Sequence, residues 1–165
     1  MLPTDGATNQ PLALTLQASG FSDPDPGDTH SASQWRVRRA SDSVTVFDSG
    51  EDAANKTSLT LPEGVLDYST TYNRQVCHKD NRGAWSSHSQ ATAFSTEAPT
   101  LLATRQGNNM VFSWPTNTLG FGLEYTLSLP GTNWVVASPG PVVVGGQNVV
   151  TNTMTGSARF YRLKK

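Results

Sequence analysis

Leu66-Asp67-Tyr68-Ser69-Thr70-Thr71-Tyr72-Asn73-Arg74-Gln75-Val76 is followed closely by Asp80-Asn81-Arg82-Gly83-Ala84-Trp85-Ser86. The two stretches together decide the fold. A period of two places Tyr72 and Val76 on one face of an extended segment, and Asp80-Asn81-Arg82-Gly83 supplies the turn that ends it. Working upstream, Leu12, Leu14 and Leu16 alternate with Ala13, Thr15 and Gln17, and Gln34-Trp35-Arg36-Val37-Arg38 puts Trp35 and Val37 on one face. Val44-Thr45-Val46-Phe47 and the pair Leu59 and Leu61 follow. Downstream, Trp85 to Phe94 reads as the closing strand. The set amounts to about six or seven strands, the complement of one antiparallel sandwich.

Ser95-Thr96-Glu97-Ala98-Pro99-Thr100 has no periodicity, and its proline cannot donate to a ladder. The domain boundary is placed there, giving modules at 1–97 and 98–165. The second module starts at Leu101–Arg105, turns at Gln106-Gly107-Asn108-Asn109 and continues as Met110-Val111-Phe112-Ser113-Trp114 up to Pro115. Further strands are expected at Leu123–Leu127, Trp134–Val136, Val142–Val144, Val149–Asn152 and Ala158–Leu163. Turns fall at Pro130-Gly131, Gly145-Gly146 and Thr155-Gly156. At roughly 65 residues, burial is marginal for independent stability, so this module is expected to pack against the first. Independent tumbling of the halves in NMR relaxation would refute that.

Composition agrees with an all-β chain of two small antiparallel β-sandwich modules in tandem. Gly 14 and Pro 10 are frequent and charged residues make up only 15%, which disfavours long amphipathic helices. A hydrophobic fraction of 36% is enough for a core. The net charge of −1 exerts no general pull on nucleic acid or anionic membrane. Residues 1–98 hold twelve acids against seven bases, whereas 99–165 hold Glu124 against Arg105, Arg159, Arg162, Lys164 and Lys165. No apolar run reaches transmembrane length, so no membrane insertion is expected. Cys77 is the one cysteine, so an intrachain disulfide is impossible; in a secreted protein this favours a bacterial origin. Met1-Leu2-Pro3-Thr4-Asp5 turns polar at once and is no signal peptide, so the chain is expected to be cut from something longer.

The stretches at 66–76 and 80–86 resemble the end of a fibronectin type III domain. In that family a leucine precedes a tyrosine whose hydroxyl bonds back to the backbone of the preceding crossover, the tyrosine corner. Tyr72 matches that position, and Gly83-Ala84-Trp85-Ser86 resembles the last hairpin of such domains in bacterial secreted proteins. The resemblance covers most of residues 10–97 and implies a fibronectin type III-like sandwich. The sequence departs from the family near its start. Leu12-Leu14-Leu16 stands where a tryptophan is usual, Trp35 lies on the next strand, and the first strand is short or missing. An immunoglobulin-like relative therefore stays open.

Residues 100–165 resemble a C-terminal module found at the ends of large secreted proteins of environmental bacteria. Ser113-Trp114-Pro115, Leu123-Glu124, Trp134, Gly146-Gln147-Asn148 and Phe160-Tyr161-Arg162-Leu163 carry that resemblance. It implies a place at the end of a multidomain chain, secreted or at the cell surface, and implies no activity.

Two kinds of residue are candidates for chemistry. Asp23, Asp25 and Asp28, spaced by Pro24, Pro26 and Gly27, offer hard oxygen ligands that suit calcium. The alternative is a rigid Asx/Pro turn. Trp85, Trp134, Tyr68 and Tyr125 lie near strand ends, where a sugar-stacking face would form. Trp35 and Trp114 sit mid-strand and read as core, as does Tyr72. Arg36, Arg38 and Arg39 beside Trp35 read as a solvated strand face rather than a nucleic-acid strip. His30, His78 and His88 are scattered and no nucleophile elbow or metal-binding helix is present, so no catalytic residue is assigned. Neighbours on a strand point to opposite faces, so Cys77 and His78 are no nucleophile–base pair and Cys77 is read as an inert thiol.

Three functions compete on this reading. The first is a non-catalytic spacer or adhesion pair, whose partner is a neighbouring domain of the parent protein. The second is a carbohydrate-binding module directed at polysaccharide, which needs two coplanar exposed aromatics on one face. The third is a hydrolase fragment, which needs a histidine to converge with an acid.

Overall fold

The computed structural model describes residues 1–165 except Leu119 and Ser157. The described chain is all-β and divides into two compact units, Met1–Ala98 and Pro99–Lys165.

Unit 1 contains β1 (Ala7–Gln10), β2 (Thr15–Gln17), β3 (His30–Arg39), β4 (Thr45–Asp48), β5 (Ser58–Thr60), β6 (Thr71–Asp80) and β7 (Thr92–Thr96). One sheet has the order β1-β7-β6-β3-β4, and β2 with β5 forms the facing pair. The long antiparallel ladder of β3 and β6 is its spine, with Trp35 opposite Val76 and Val37 opposite Arg74. The pleat then sends Trp35, Val37, Tyr72 and Val76 to one side, where they meet Leu14, Leu16, Leu59, Leu61, Leu66 and Phe94. Trp35 is fully buried, and its indole Nε1 donates to Asn55 O at 2.7 Å.

The tyrosine corner is present. Asp67 N donates to Tyr72 Oη at 2.9 Å, and Tyr72 stacks on Phe94 with ring centres 5.7 Å apart. Thr96 completes the joint by donating from Oγ1 to Asp67 O at 2.6 Å while accepting from Thr70 N at 3.0 Å. This geometry and the strand order make unit 1 a fibronectin type III-like sandwich.

Three details differ from the sequence pattern. The first strand is short, with four residues, but not missing: β1 runs parallel to β7, with Ala7 opposite Phe94 and Gln10 opposite Thr96. Its sequence, Ala-Thr-Asn-Gln, lacks the alternating apolar residues that reveal a strand. The closing strand is shorter than Trp85 to Phe94, because Trp85 makes only an isolated bridge to Lys79 and β7 starts at Thr92. Arg74 is the third. It occupies an inward position on β6 and is 1% exposed, with Nη2 donating to Pro3 O at 2.8 Å. The alkyl stem fits an apolar position, and the N-terminal segment supplies an acceptor for the charge. Burial holds its pKa below the ordinary arginine value.

Unit 2 contains β8 (Leu102–Gln106), β9 (Asn109–Pro115), β10 (Gly122–Thr126), β11 (Val135–Val136), β12 (Val142–Val144), β13 (Gln147–Thr153) and β14 (Phe160–Lys164). Its sheets have the orders β12-β13-β9-β8 and β11-β10-β14. The β12–β13 turn is Gly145-Gly146, with φ of +55° and +76°. Two successive positive φ angles are what a two-residue hairpin of the right twist requires, and glycine adopts them without a Cβ penalty. Phe112, Trp114, Leu123, Ala137 and Val150 form the core, flanked by Leu101, Met110, Tyr125, Tyr161 and Leu163.

Candidate functional site

Two of the four candidate aromatics gather around one cleft of unit 2. The cleft has a volume of about 650 Å³, and Met110, Phe112, Trp134, Phe160 and Tyr161 are in its wall. Phe112 and Tyr161 have ring centres 4.1 Å apart, and Tyr125 lies 6.0 Å behind Tyr161. Arg159, also in the wall, holds its guanidinium 5.0 Å above the Tyr125 ring. Trp134 is half-buried and donates from Nε1 to Gly131 O at 3.0 Å. One face of its ring carries the Arg162 guanidinium at 3.9 Å, and Arg162 is itself held by Glu124 Oε2 at 2.9 Å. That face is closed to a stacked sugar.

The cleft has one polar feature that sequence reading missed. Asn152 shares a face of β13 with Val150, is 8% exposed and lines the cleft, yet its Nδ2 has no hydrogen-bond partner. The period-two alternation of β13 puts it inward, but only the neighbouring sheet shows that nothing there accepts from it.

The other two candidates, Tyr68 and Trp85, belong to unit 1. Tyr68 is half-buried beside the tyrosine corner, where its carbonyl accepts from Thr70 Oγ1 at 2.9 Å. Trp85 is 41% exposed, with Lys79 Nζ 5.6 Å from its ring centre.

The acidic loop brings carboxylate oxygens of Asp23, Asp25 and Asp28 within 4.8 Å of one another. Asp23 Oδ1 accepts from Asp25 N at 2.9 Å, an Asx turn. Arg82 Nε lies 2.9 Å from Asp28 Oδ1, an ion pair without hydrogen-bond alignment. Asn81 Oδ1 fixes the end of the loop by accepting from Thr29 N at 2.7 Å. Three carboxylates fit calcium in chemistry but supply only part of the six to eight oxygens it takes. The chain already sets one cation, Arg82, against them.

His30 and His78 converge, as the scattered sequence positions do not show. Their ring centres are 4.6 Å apart, and His30 stacks on Phe21 at 5.0 Å. Ser33 Oγ lies 2.9 Å from His30 Nε2 and 2.8 Å from His78 Nδ1, and donates its own proton to Lys56 O at 2.6 Å. With the hydroxyl aimed at Lys56 O, His78 Nδ1 donates to its oxygen, and His30 Nε2 shares its proton between that oxygen and Ala32 O at 3.1 Å. Burial, the main cause for each, lowers both imidazole pKa values, so the rings are held neutral. The direction of donation is opposite to that of an activated serine, which must give its proton to a histidine. Ser33 is also fully buried.

Cys77 faces His88, with Sγ 3.8 Å from Nε2. The thiol is buried, which pushes its pKa up and keeps it protonated. Arg36 and Arg39 pair with Asp48 and Asp42, each at 3.0 Å, so this strand face carries its own counter-charges.

No known protein family matches the chain's sequence, and no curated protein does. Among solved structures the chain is similar to the three fibronectin domains FN1–FN3 of chicken CNTN1. That match has 11% identity and a TM-score of 0.43, and covers 98% of this chain and 59% of that one. It is similar also to the chicken interferon gamma receptor alpha chain, at 8% identity and a TM-score of 0.41, covering 96% of this chain and 86% of that one. Scores of this size add no weight to the geometry of the chain itself.

Proposed function

We propose that the chain is a non-catalytic accessory pair, a spacer or adhesion segment of a larger secreted or cell-surface bacterial protein. The observation that carries the non-catalytic part is the Ser33 cluster. It is the one place among the described residues where a serine hydroxyl bonds to an imidazole, and that hydroxyl is buried and donates to Lys56 O. The resemblance of residues 100–165 to a terminal bacterial module supports the placement in a longer chain, whose neighbouring domain is then the partner.

A panel of chromogenic esters and glycosides tests the reading. No turnover above buffer is expected; turnover that Ser33→Ala abolishes would return the hydrolase reading.

Polysaccharide binding is a second reading, favoured by the exposure of Trp85. Retention on an insoluble polysaccharide that Trp85→Ala removes would establish it. Loss of retention with a chelator would assign calcium to Asp23, Asp25 and Asp28.

A further inference from the structure

We infer that the cleft of unit 2 binds a small amphipathic anion, an aromatic or branched apolar body bearing one carboxylate. The volume of about 650 Å³ lies within the range of small-molecule sites. The wall is adaptable and mostly apolar: Met110, Phe112, Met154, Phe160 and Tyr161 offer sulfur and ring faces, beside the polar Asn152, Thr153, Thr155 and Arg159. Phe160 and Met154 remain 38% and 37% exposed at its edge, so apolar area is left for a guest to cover.

Two groups set the polarity of the guest. Asn152 is a buried amide whose Nδ2 has no acceptor, and leaving such a donor unpaired is costly. Arg159 adds a positive charge in the same wall. Both want an oxygen acceptor, and a guanidinium favours a carboxylate. The unit as a whole holds one acid against five bases, which attracts an anion over distance. A sugar suits the cleft less well, because Met110, Phe112, Met154 and Phe160 offer its many hydroxyls no partners.

Titration calorimetry of the full chain with 2-naphthoate, 2-naphthalenemethanol and cellohexaose tests this. Saturable one-to-one binding of 2-naphthoate is expected, at least tenfold tighter than the alcohol, with no heat from cellohexaose. Asn152→Leu and Arg159→Gln should each weaken the carboxylate at least fivefold. The exposed Arg159 can be changed without touching the core, so its variant decides if the Asn152 variant does not fold. The inference is overturned by absence of saturable naphthoate binding, by binding that survives Arg159→Gln, or by preference for cellohexaose. Either result leaves the non-catalytic reading standing, since that rests on Ser33.

Discussion

Ten buried side chains, from Leu14 to Phe94, fill the space between the sheets of unit 1, while five, from Phe112 to Val150, fill that of unit 2. The difference is not only one of size. In unit 1 Trp35 Nε1 reaches Asn55 O, Tyr72 Oη accepts from Asp67 N, and Arg74 Nη2 reaches Pro3 O, although Arg74 Nε has no partner. In unit 2 Trp114 Nε1 and Asn152 Nδ2 are buried without partners. Apolar side chains such as Val136, Val143 and Leu127 stay exposed by 70%, 68% and 61%. Two sandwiches of similar plan thus differ in how completely the interior is closed. A closed interior suits a structural element, and an open one with apolar side chains left uncovered suits a binding element.

The comparison can be broken first at Trp35. Replacing it with Ala empties the centre of unit 1 and should cost about 3–5 kcal/mol, read from urea unfolding followed at unit 1 amide resonances. Trp35→Phe and Trp114→Phe then sharpen it. Both remove similar volume, but only the first strands a carbonyl, Asn55 O, so it should be the more destabilising by about 1–3 kcal/mol. Equal losses would show that the partner of the indole does not matter. Tyr72→Phe keeps the ring stack and deletes the corner hydrogen bond, for an expected loss of about 0.5–1.5 kcal/mol in the same assay.

The smallest effect is on pH dependence. His30 and His78 have folded pKa values below the ordinary 6.5, so the unfolded chain takes up protons first as pH falls. Stability is therefore full above that value and declines as pH drops through it toward the lowered folded values. Denaturant midpoints measured between about pH 8 and 5 should show the decline, and His78→Gln should flatten it. An unchanged slope would remove the buried pair as its cause.

Much of unit 1 was legible because its strands alternate. Trp35 with Val37, and Tyr72 with Val76, announce the β3 and β6 faces, and Tyr72 carries the corner. What alternation cannot show is a polar strand such as β1, held by pairing with β7 rather than by burial. It equally hides Arg74, whose charge reads as surface until Pro3 O is seen beside it. The meeting of His30 with His78 depends on register across β3 and β6, which no local pattern encodes. Aromatic content pointed to Trp134 and Tyr125, which do lie at or behind the cleft. Asn152, the buried amide of the cleft, resembled any other polar strand residue.

The most direct test of a closed unit 1 and an open, binding unit 2 is an amide NMR titration of the full chain with 2-naphthoate. The account predicts shifts in the Asn152 side-chain NH₂ and in backbone amides of β9, β13 and β14, with the β3 and β6 amides unmoved. Shifts centred on unit 1, or a spectrum that does not change, would contradict it.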